Sequence, residues 1–282
     1  MKVAVIGSSG GMGGFFVRYF LSRGLDVVGS DSRRRALKNP HFGFTRSNSE
    51  AVAGADIVVV ATPIDTTVET VTGFAGSLSP GACVVEITSV KGKMLGKLKK
   101  LVSVRGAKLL SLHPLFGPSL KVQGEMKLCV IETDKGSIAA ARSLFPDATL
   151  IPMKAREHDR MIGLILSLTH LLNIAYAGTL SRYLGHDEFR KIQTPTSAVQ
   201  LTLAEGVLSQ SPSLYSYIQL ENEFSSEFAD ALIAELGLLK RLIDRKDRRG
   251  FEKRFGELSK MYAGDSKAAL DLVYQAFEKS SR

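Results

Sequence analysis

Lys2-Val3-Ala4-Val5-Ile6-Gly7-Ser8-Ser9-Gly10-Gly11-Met12-Gly13 is the stretch on which the reading of the chain turns. A β-branched run ends in glycines spaced Gly-x-x-Gly-x-x-Gly, and an apolar-periodic segment with Phe15, Phe16, Tyr19 and Phe20 follows from about residue 12 to 23. Gly24 stops that helix, and Asp26–Ser30 reads as a second strand. A strand, a glycine turn, a helix and a second strand within about 30 residues make the unit that binds dinucleotides. Such a turn needs residues that tolerate positive φ and a backbone bare enough to approach a pyrophosphate. The helix start then offers unpaired N–H groups and a positive dipole end.

Gly7, Ser8, Ser9, Gly10, Gly11, Met12 and Gly13 are therefore candidate cofactor contacts. Asp31 stands about 20 residues further on, where the adenosine ribose is expected. A carboxylate there accepts from both ribose hydroxyls and repels a 2′-phosphate, which favours NAD. Ser32 and Arg33, with Arg34 and Arg35 after them, leave NADP possible. Thr62 and Pro63, after the strand-like run 56–61, are assigned to the same site.

Outward from this unit, buried-type runs recur at 56–61, 83–87, 108–112, 128–131 and 149–151. Continuous Val, Ile and Leu without polar alternation implies strands covered on both faces, in a largely parallel, doubly wound sheet. Beyond residue 153 the strand signal stops. Helical patterns occupy 157–184, 195–210, 213–244, 246–262 and 266–279. The expectation is an α/β chain: a Rossmann-like dinucleotide-binding domain over 1–153 and an all-helical domain over 154–282.

The 282 residues, 44% hydrophobic and 23% charged, have an ordinary globular composition. Of the net charge of +9, residues 1–150 carry +8, from 19 Lys and Arg against 11 Asp and Glu. Without a basic stripe interleaved with aromatics, that bias suits a dinucleotide and an anionic small molecule better than a nucleic acid. Two cysteines, Cys83 and Cys129, rule out a disulfide scaffold and suit a reducing compartment. No signal peptide is evident. The apolar stretch 161–177 holds His170 and Asn173 and falls short of the roughly 20 residues a bilayer requires, so a cytoplasmic protein with no membrane partner is expected. No metal-ligand spacing is present.

His113 lies in Leu112-His113-Pro114-Leu115-Phe116-Gly117-Pro118, at the end of an expected strand. Strand ends are where open α/β sheets hold ligands, and a neutral imidazole there can accept a hydroxyl proton as hydride leaves the same carbon. Structural packing is the alternative. Thr88-Ser89-Val90-Lys91 offers a hydroxyl and an ammonium on the same rim, unless Lys91 is merely a surface lysine. His170 sits mid-helix in the apolar stretch, as a ligand contact or a satisfied core histidine. Glu157-His158-Asp159 reads as a helix start with no catalytic role, and His41 and His186 as solvated loop residues.

Together these motifs resemble the prephenate dehydrogenase family, which includes arogenate and cyclohexadienyl dehydrogenases. The likeness rests on Gly7–Gly13 with Met12, Thr88-Ser89-Val90-Lys91-Gly92, the His113–Pro118 segment, Glu157-His158-Asp159, the His170 helix and Pro212-Ser213-Leu214-Tyr215. It implies a helical domain that forms a homodimer, an active site between the domains, and oxidative decarboxylation of a cyclohexadienol in tyrosine biosynthesis. His113 would take the ring hydroxyl proton, Ser89 would hydrogen-bond that hydroxyl and His113, and Lys91 and His170 would lie at the substrate. One departure stands out. The family's substrate arginines fall at Ala198 and Gly206, neither of which can pair with a carboxylate. Three readings are open: another cation such as Lys91, Arg190 or Lys191 replaces them, the substrate lacks that group, or the activity is lost. A different nicotinamide oxidoreductase and a non-catalytic dinucleotide-binding dimer are the competing readings.

Overall fold

The computed structural model describes all residues except 34–36, 93, 122–124, 263, 265, 281 and 282. Arg34 and Arg35, the arginines weighed for a 2′-phosphate, thus lie outside the described residues. The chain divides into two compact units, Met1–Ile162 and Gly163–Arg282.

The first unit runs β1 (Lys2–Ile6), α1 (Gly11–Ser22), β2 (Asp26–Ser30), β3 (Phe42–Thr45), α2 (Asn48–Val52), β4 (Ile57–Val60), α3 (Thr67–Phe74), β5 (Cys83–Glu86), α4 (Met94–Ser103), β6 (Lys108–Pro114), β7 (Lys127–Ile131), α5 (Ser137–Leu144), β8 (Thr149–Met153) and α6 (Ala155–Ile162). Its eight strands lie in the order β3-β2-β1-β4-β5-β6-β7-β8. Every pairing is parallel except β6 with β7. A parallel return needs a crossover, and the described residues between β6 and β7 include no helix, so that pair runs antiparallel.

The sheet is covered on both faces. On one side Phe15, Phe16, Tyr19 and Phe20 of α1 meet Phe145 and Ala141 against Val3, Val5, Leu110 and Leu128. On the other, Val52, Val71, Phe74 and Leu98 from α2, α3 and α4 cover Ala4, Ile6, Val58 and Val84. This two-sided burial is why the central strands read as unbroken apolar runs. The sequence pattern missed β3, a half-exposed Phe-Gly-Phe-Thr edge whose glycine weakens the strand signal. β8 is the opposite edge and tolerates Pro152 for lack of an outer neighbour.

The second unit is helical: a π-helical turn (Gly163–Ser167), α7 (Leu168–Leu180), α8 (His186–Ile192), α9 (Pro195–Leu208), α10 (Pro212–Glu221), α11 (Ser225–Asp244), α12 (Arg248–Tyr262) and α13 (Ser266–Ser280). The helix expected over 213–244 is two. Asn222 is extended, and its Oδ1 accepts the Phe224 N–H at 2.9 Å, which ends α10 and starts α11. His186, expected in a loop, is instead the first residue of α8, with Nε2 2.7 Å from Glu205 Oε1. His41 is exposed and sits 2.8 Å from Asp26. The apolar stretch belongs to a helix of 26 residues, Ala155–Leu180, longer than the sequence count because the polar turns before residue 161 are helical too. Its length and hydropathy would suffice to cross a membrane, contrary to the shortfall expected from the sequence.

Candidate active site

Gly7, Asp31, Thr62, Ser89 and His113 stand at the carboxyl ends of strands, whereas His158 and Asp159 are carried by α6. At the end of β1, Gly7 has φ of +82°, and a Cβ added to it would stand 2.5 Å from the Ala61 carbonyl oxygen. At Gly13 an added Cβ would lie 2.0 Å from the Gly7 oxygen. The turn therefore closes only with glycine at both positions. Ala61 and Thr62, just past β4, form its other wall, and the Pro63 carbonyl accepts from Thr67 Oγ1 at 3.1 Å. β1 and β4 flank the point where the strand order reverses, the place open α/β sheets hold nucleotides.

The start of α1 suits an anion. Gly10 caps it with no side-chain bond, and its first turn holds no acidic residue. The first N–H groups of a helix have no partner within it and so face outward. Ser8 Oγ is buried without a hydrogen bond, and Met12 packs against the core cluster. Asp31 lies where the ribose was expected: its Oδ2 accepts the Ser9 N–H at 3.0 Å and its Oδ1 the Arg33 N–H at 3.1 Å. The Arg33 carbonyl takes the Ser9 hydroxyl at 2.5 Å, while Ser32 is exposed beside Asp31. These residues fit a dinucleotide: two glycines leave no room for side chains, a helix start is uncapped, and a carboxylate stands beside the turn.

His113 occupies β6 opposite Cys129 of β7 and is 5% exposed. Its Nδ1 lies 2.9 Å from Nε2 of His158, whose Nδ1 lies 2.9 Å from Asp159 Oδ1. Its Nε2 has no hydrogen-bond partner among the described residues, yet it is not one of the buried unpartnered atoms, so it keeps some solvent access. Burial, then the charge of Lys91, holds the His113 pKa well below the ordinary histidine value. His158 is also lowered by burial, against the pull of Asp159. Both rings are neutral near pH 7.

His158 is the residue the sequence reading passed over. Its acidic neighbours made it look like a helix start with no catalytic role, whereas His158 and Asp159 face into the unit. The histidine that meets His113 thus lies 45 positions away, and Ser89, expected to bond His113, makes no such bond among the described residues. Ser89 is half-buried in the turn after β5.

Lys91 is not on the rim. It has no exposed surface, and its ammonium lies 2.7 Å from both Glu86 Oε1 and the Leu112 carbonyl. The cause is Glu86, a fully buried carboxylate at the end of β5 that needs a counter-charge. The same carboxylate accepts from Thr88 N–H at 2.9 Å, Thr88 Oγ1 at 2.6 Å and Ser111 Oγ. It thereby fixes the turn that carries Ser89 and, through Lys91, the strand end that carries His113.

In the second unit, the His170 ring meets Tyr215 edge-on at 4.4 Å, its Nδ1 is buried without a partner, and burial lowers its pKa. Ala198 is buried in α9, and Gly206 has open space around it. Arg190, one candidate replacement cation, is engaged with Glu205 at 3.1 Å. Lys191 is exposed on α8.

Comparison with known proteins identifies the family of the chain. Residues 22–129 match the prephenate dehydrogenase nucleotide-binding domain, and residues 154–257 match the prephenate dehydrogenase dimerization domain. A probable arogenate/prephenate dehydrogenase of Methanocaldococcus jannaschii is 27% identical over 278 residues, covering 95% of this chain. The chain spans 62% of that relative's length. The 4-amino-4-deoxyprephenate dehydrogenase of Streptomyces pristinaespiralis is 29% identical over 270 residues, covering 91% of this chain and 90% of that protein. The structure of prephenate dehydrogenase from A. aeolicus, solved with hydroxyphenyl propionate and NAD+, shares the fold with a TM-score of 0.74 at 21% identity, over 94% of this chain and 98% of that one. With both of its domains matched and the glycine turn and His113 strand end in place, the chain belongs to the prephenate dehydrogenase family of NAD(P)-dependent oxidoreductases.

Proposed function

We propose that the protein catalyses oxidative decarboxylation of prephenate or a close cyclohexadienyl relative, with NAD as the preferred hydride acceptor. The observation that carries this is the unpartnered Nε2 of His113, neutral at pH 7, in the same compact unit as a glycine turn built for a dinucleotide. When bound, the cofactor supplies the acceptor for hydride.

His113 Nε2 takes the proton of the ring hydroxyl as the carbon bearing it gives up hydride. The carbonyl so formed draws in the electrons of the adjacent ring system while the carboxylate leaves as carbon dioxide. The ring becomes aromatic, and the His113 imidazolium returns its proton to the phenolate. Ser89 hydrogen-bonds the hydroxyl. Lys91 acts behind His113, through Glu86 and the Leu112 carbonyl, rather than on the substrate. His170 is placed at the substrate on the family resemblance alone, since its Nδ1 is buried. Asp31 favours NAD over NADP. The protein works in the cytoplasm as a homodimer, consistent with its match to a dimerization domain and with the apolar residues its single helical unit leaves exposed, among them Ile233, Leu236 and Leu272.

The 4-amino analogue is the second reading, from the likeness to the 4-amino-4-deoxyprephenate dehydrogenase of Streptomyces pristinaespiralis; it keeps both carboxylates of prephenate, so with Ala198 and Gly206 at the arginine positions either substrate calls for another cation. Prephenate, arogenate and 4-amino-4-deoxyprephenate, each tested with NAD and with NADP by absorbance of the reduced cofactor, separate these. Turnover of one of them supports the proposal. Absence of turnover with all three, alongside measurable NADH binding, would leave a different nicotinamide oxidoreductase, recognised by activity on hydroxyacids or imines, or a non-catalytic dinucleotide-binding dimer.

A further inference from the structure

We infer that His158 and Asp159 are positioning residues that lock the His113 imidazole in its Nδ1–H tautomer, so that the lone pair is always on Nε2. This rests on the reading of His113 as the proton acceptor and adds the part of the chain that prepares it.

Asp159 Oδ1 faces the Lys91 N–H at 2.9 Å, and Oδ2 faces the Gly92 N–H at 2.7 Å. A backbone N–H can only donate, so both carboxylate oxygens are acceptors there. His158 Nδ1, 2.9 Å from Oδ1, must therefore carry a hydrogen. A neutral ring with Nδ1–H has a lone pair at Nε2, and the atom facing that lone pair at 2.9 Å is His113 Nδ1. His113 Nδ1 must in turn be the donor, which leaves Nε2 bare. An imidazole without such a partner samples both tautomers.

The alternative, a doubly protonated His158 donating to His113, would put a third charge beside a buried lysine. His158 and Lys91 both have no exposed surface, and burial and the Lys91 charge both oppose an imidazolium at this place. The assembly is also mechanically closed. The carboxylate that orients His158 binds the two backbone N–H groups just after Ser89, so α6 fixes the base and the serine turn together. In turnover, a proton arriving at Nε2 makes an imidazolium whose Nδ1–H already points to an acceptor.

The test is nitrogen-15 NMR of the histidine rings in the full chain without cofactor, together with two variants. Wild-type His113 should be protonated at Nδ1 and bare at Nε2. His158→Gln keeps an amide oxygen within reach of His113 Nδ1, and His158→Leu removes the acceptor. The leucine variant should show mixed His113 tautomers and a kcat lower by about tenfold to 100-fold, the scale of losing an orienting partner, with NAD affinity in calorimetry unchanged. The glutamine variant should retain the tautomer and most of kcat. A wild-type His113 carrying its hydrogen on Nε2 would overturn the inference, as would equal kcat losses in the two variants with the tautomer unaltered. Should the leucine variant not fold, the wild-type spectrum and the glutamine variant decide the matter. A wild type that turns over no cyclohexadienyl substrate would sink the proposed reaction while leaving the tautomer result standing.

Discussion

The Lys91 ammonium lies 2.7 Å from Glu86 Oε1, and neither side chain has any exposed surface. Burial pushes the Lys91 pKa down while Glu86 pushes it up. Removing one member strands the other. Lys91→Met is expected to destabilise the fold by roughly 3–5 kcal/mol, the scale of an uncompensated buried charge. Adding Glu86→Gln to it should recover part of that loss. Urea unfolding of the single and double variants checks this, and a single variant as stable as wild type would contradict it.

His113→Asn preserves a polar group but lacks a base of suitable strength. Turnover should fall by at least about 100-fold, a general-base magnitude, with NAD affinity retained. Steady-state assay on the accepted substrate is the measurement. Near-normal kcat would remove His113 from the chemistry.

Gly13 and Gly11 are both glycines of the cofactor turn but differ in what surrounds them. A Cβ at Gly13 meets the Gly7 backbone oxygen at 2.0 Å, whereas at Gly11 it meets Pro118 Cβ and Cγ at 2.9 Å. Backbone cannot yield as an exposed proline can. Gly13→Ala should weaken NAD binding by at least about tenfold, or ~1.4 kcal/mol, and Gly11→Ala by less. Calorimetric titration of both variants tests the order.

Asp31→Ala removes the carboxylate beside Ser9. The ratio of kcat/KM for NAD over NADP should fall by about tenfold, the worth of one charged hydrogen bond. An unchanged ratio would assign cofactor choice to another residue.

His113, His158 and His170 all have pKa values lowered by burial. In the unfolded chain they take up protons near pH 6.5; in the native fold they do so only at lower pH. Below about 6.5 the unfolded state therefore binds more protons, and stability falls as pH falls through that window. His186 is shifted upward by Glu205 and Asp187, which opposes the trend, but it is exposed. Tm should be lower at pH 5.5 than at 7.5, and His158→Gln should reduce the difference. An unchanged or higher Tm at pH 5.5 would contradict it.

The sheet and the cofactor turn were legible because their signals are local. Val3–Ile6 and Ile57–Val60 are apolar throughout since both faces are covered, and the glycine spacing records a close backbone approach nearby in sequence. The strand-end placement of His113 was legible too. What escaped was long-range. Nothing local marks Lys91 as buried, because its partner Glu86 is itself an unremarkable residue at a strand end. His158 escaped because a helix start rich in acids usually faces water, and only the fold brings it to a strand 45 positions earlier. Asn222 interrupted an otherwise continuous helical pattern through one local side-chain bond.

His113 does not sit in a loop: it is paired with Cys129 on an antiparallel ladder. A side chain carried on a paired strand has little freedom to swing. The connector that leaves the ladder after Pro114 is tied to the nucleotide turn, for Phe116 leans on Phe15 and Pro118 lies against Gly11. Since that connector also touches the nucleotide turn, stiffening it should slow substrate entry and cofactor exchange together, leaving the strength of the base unaltered.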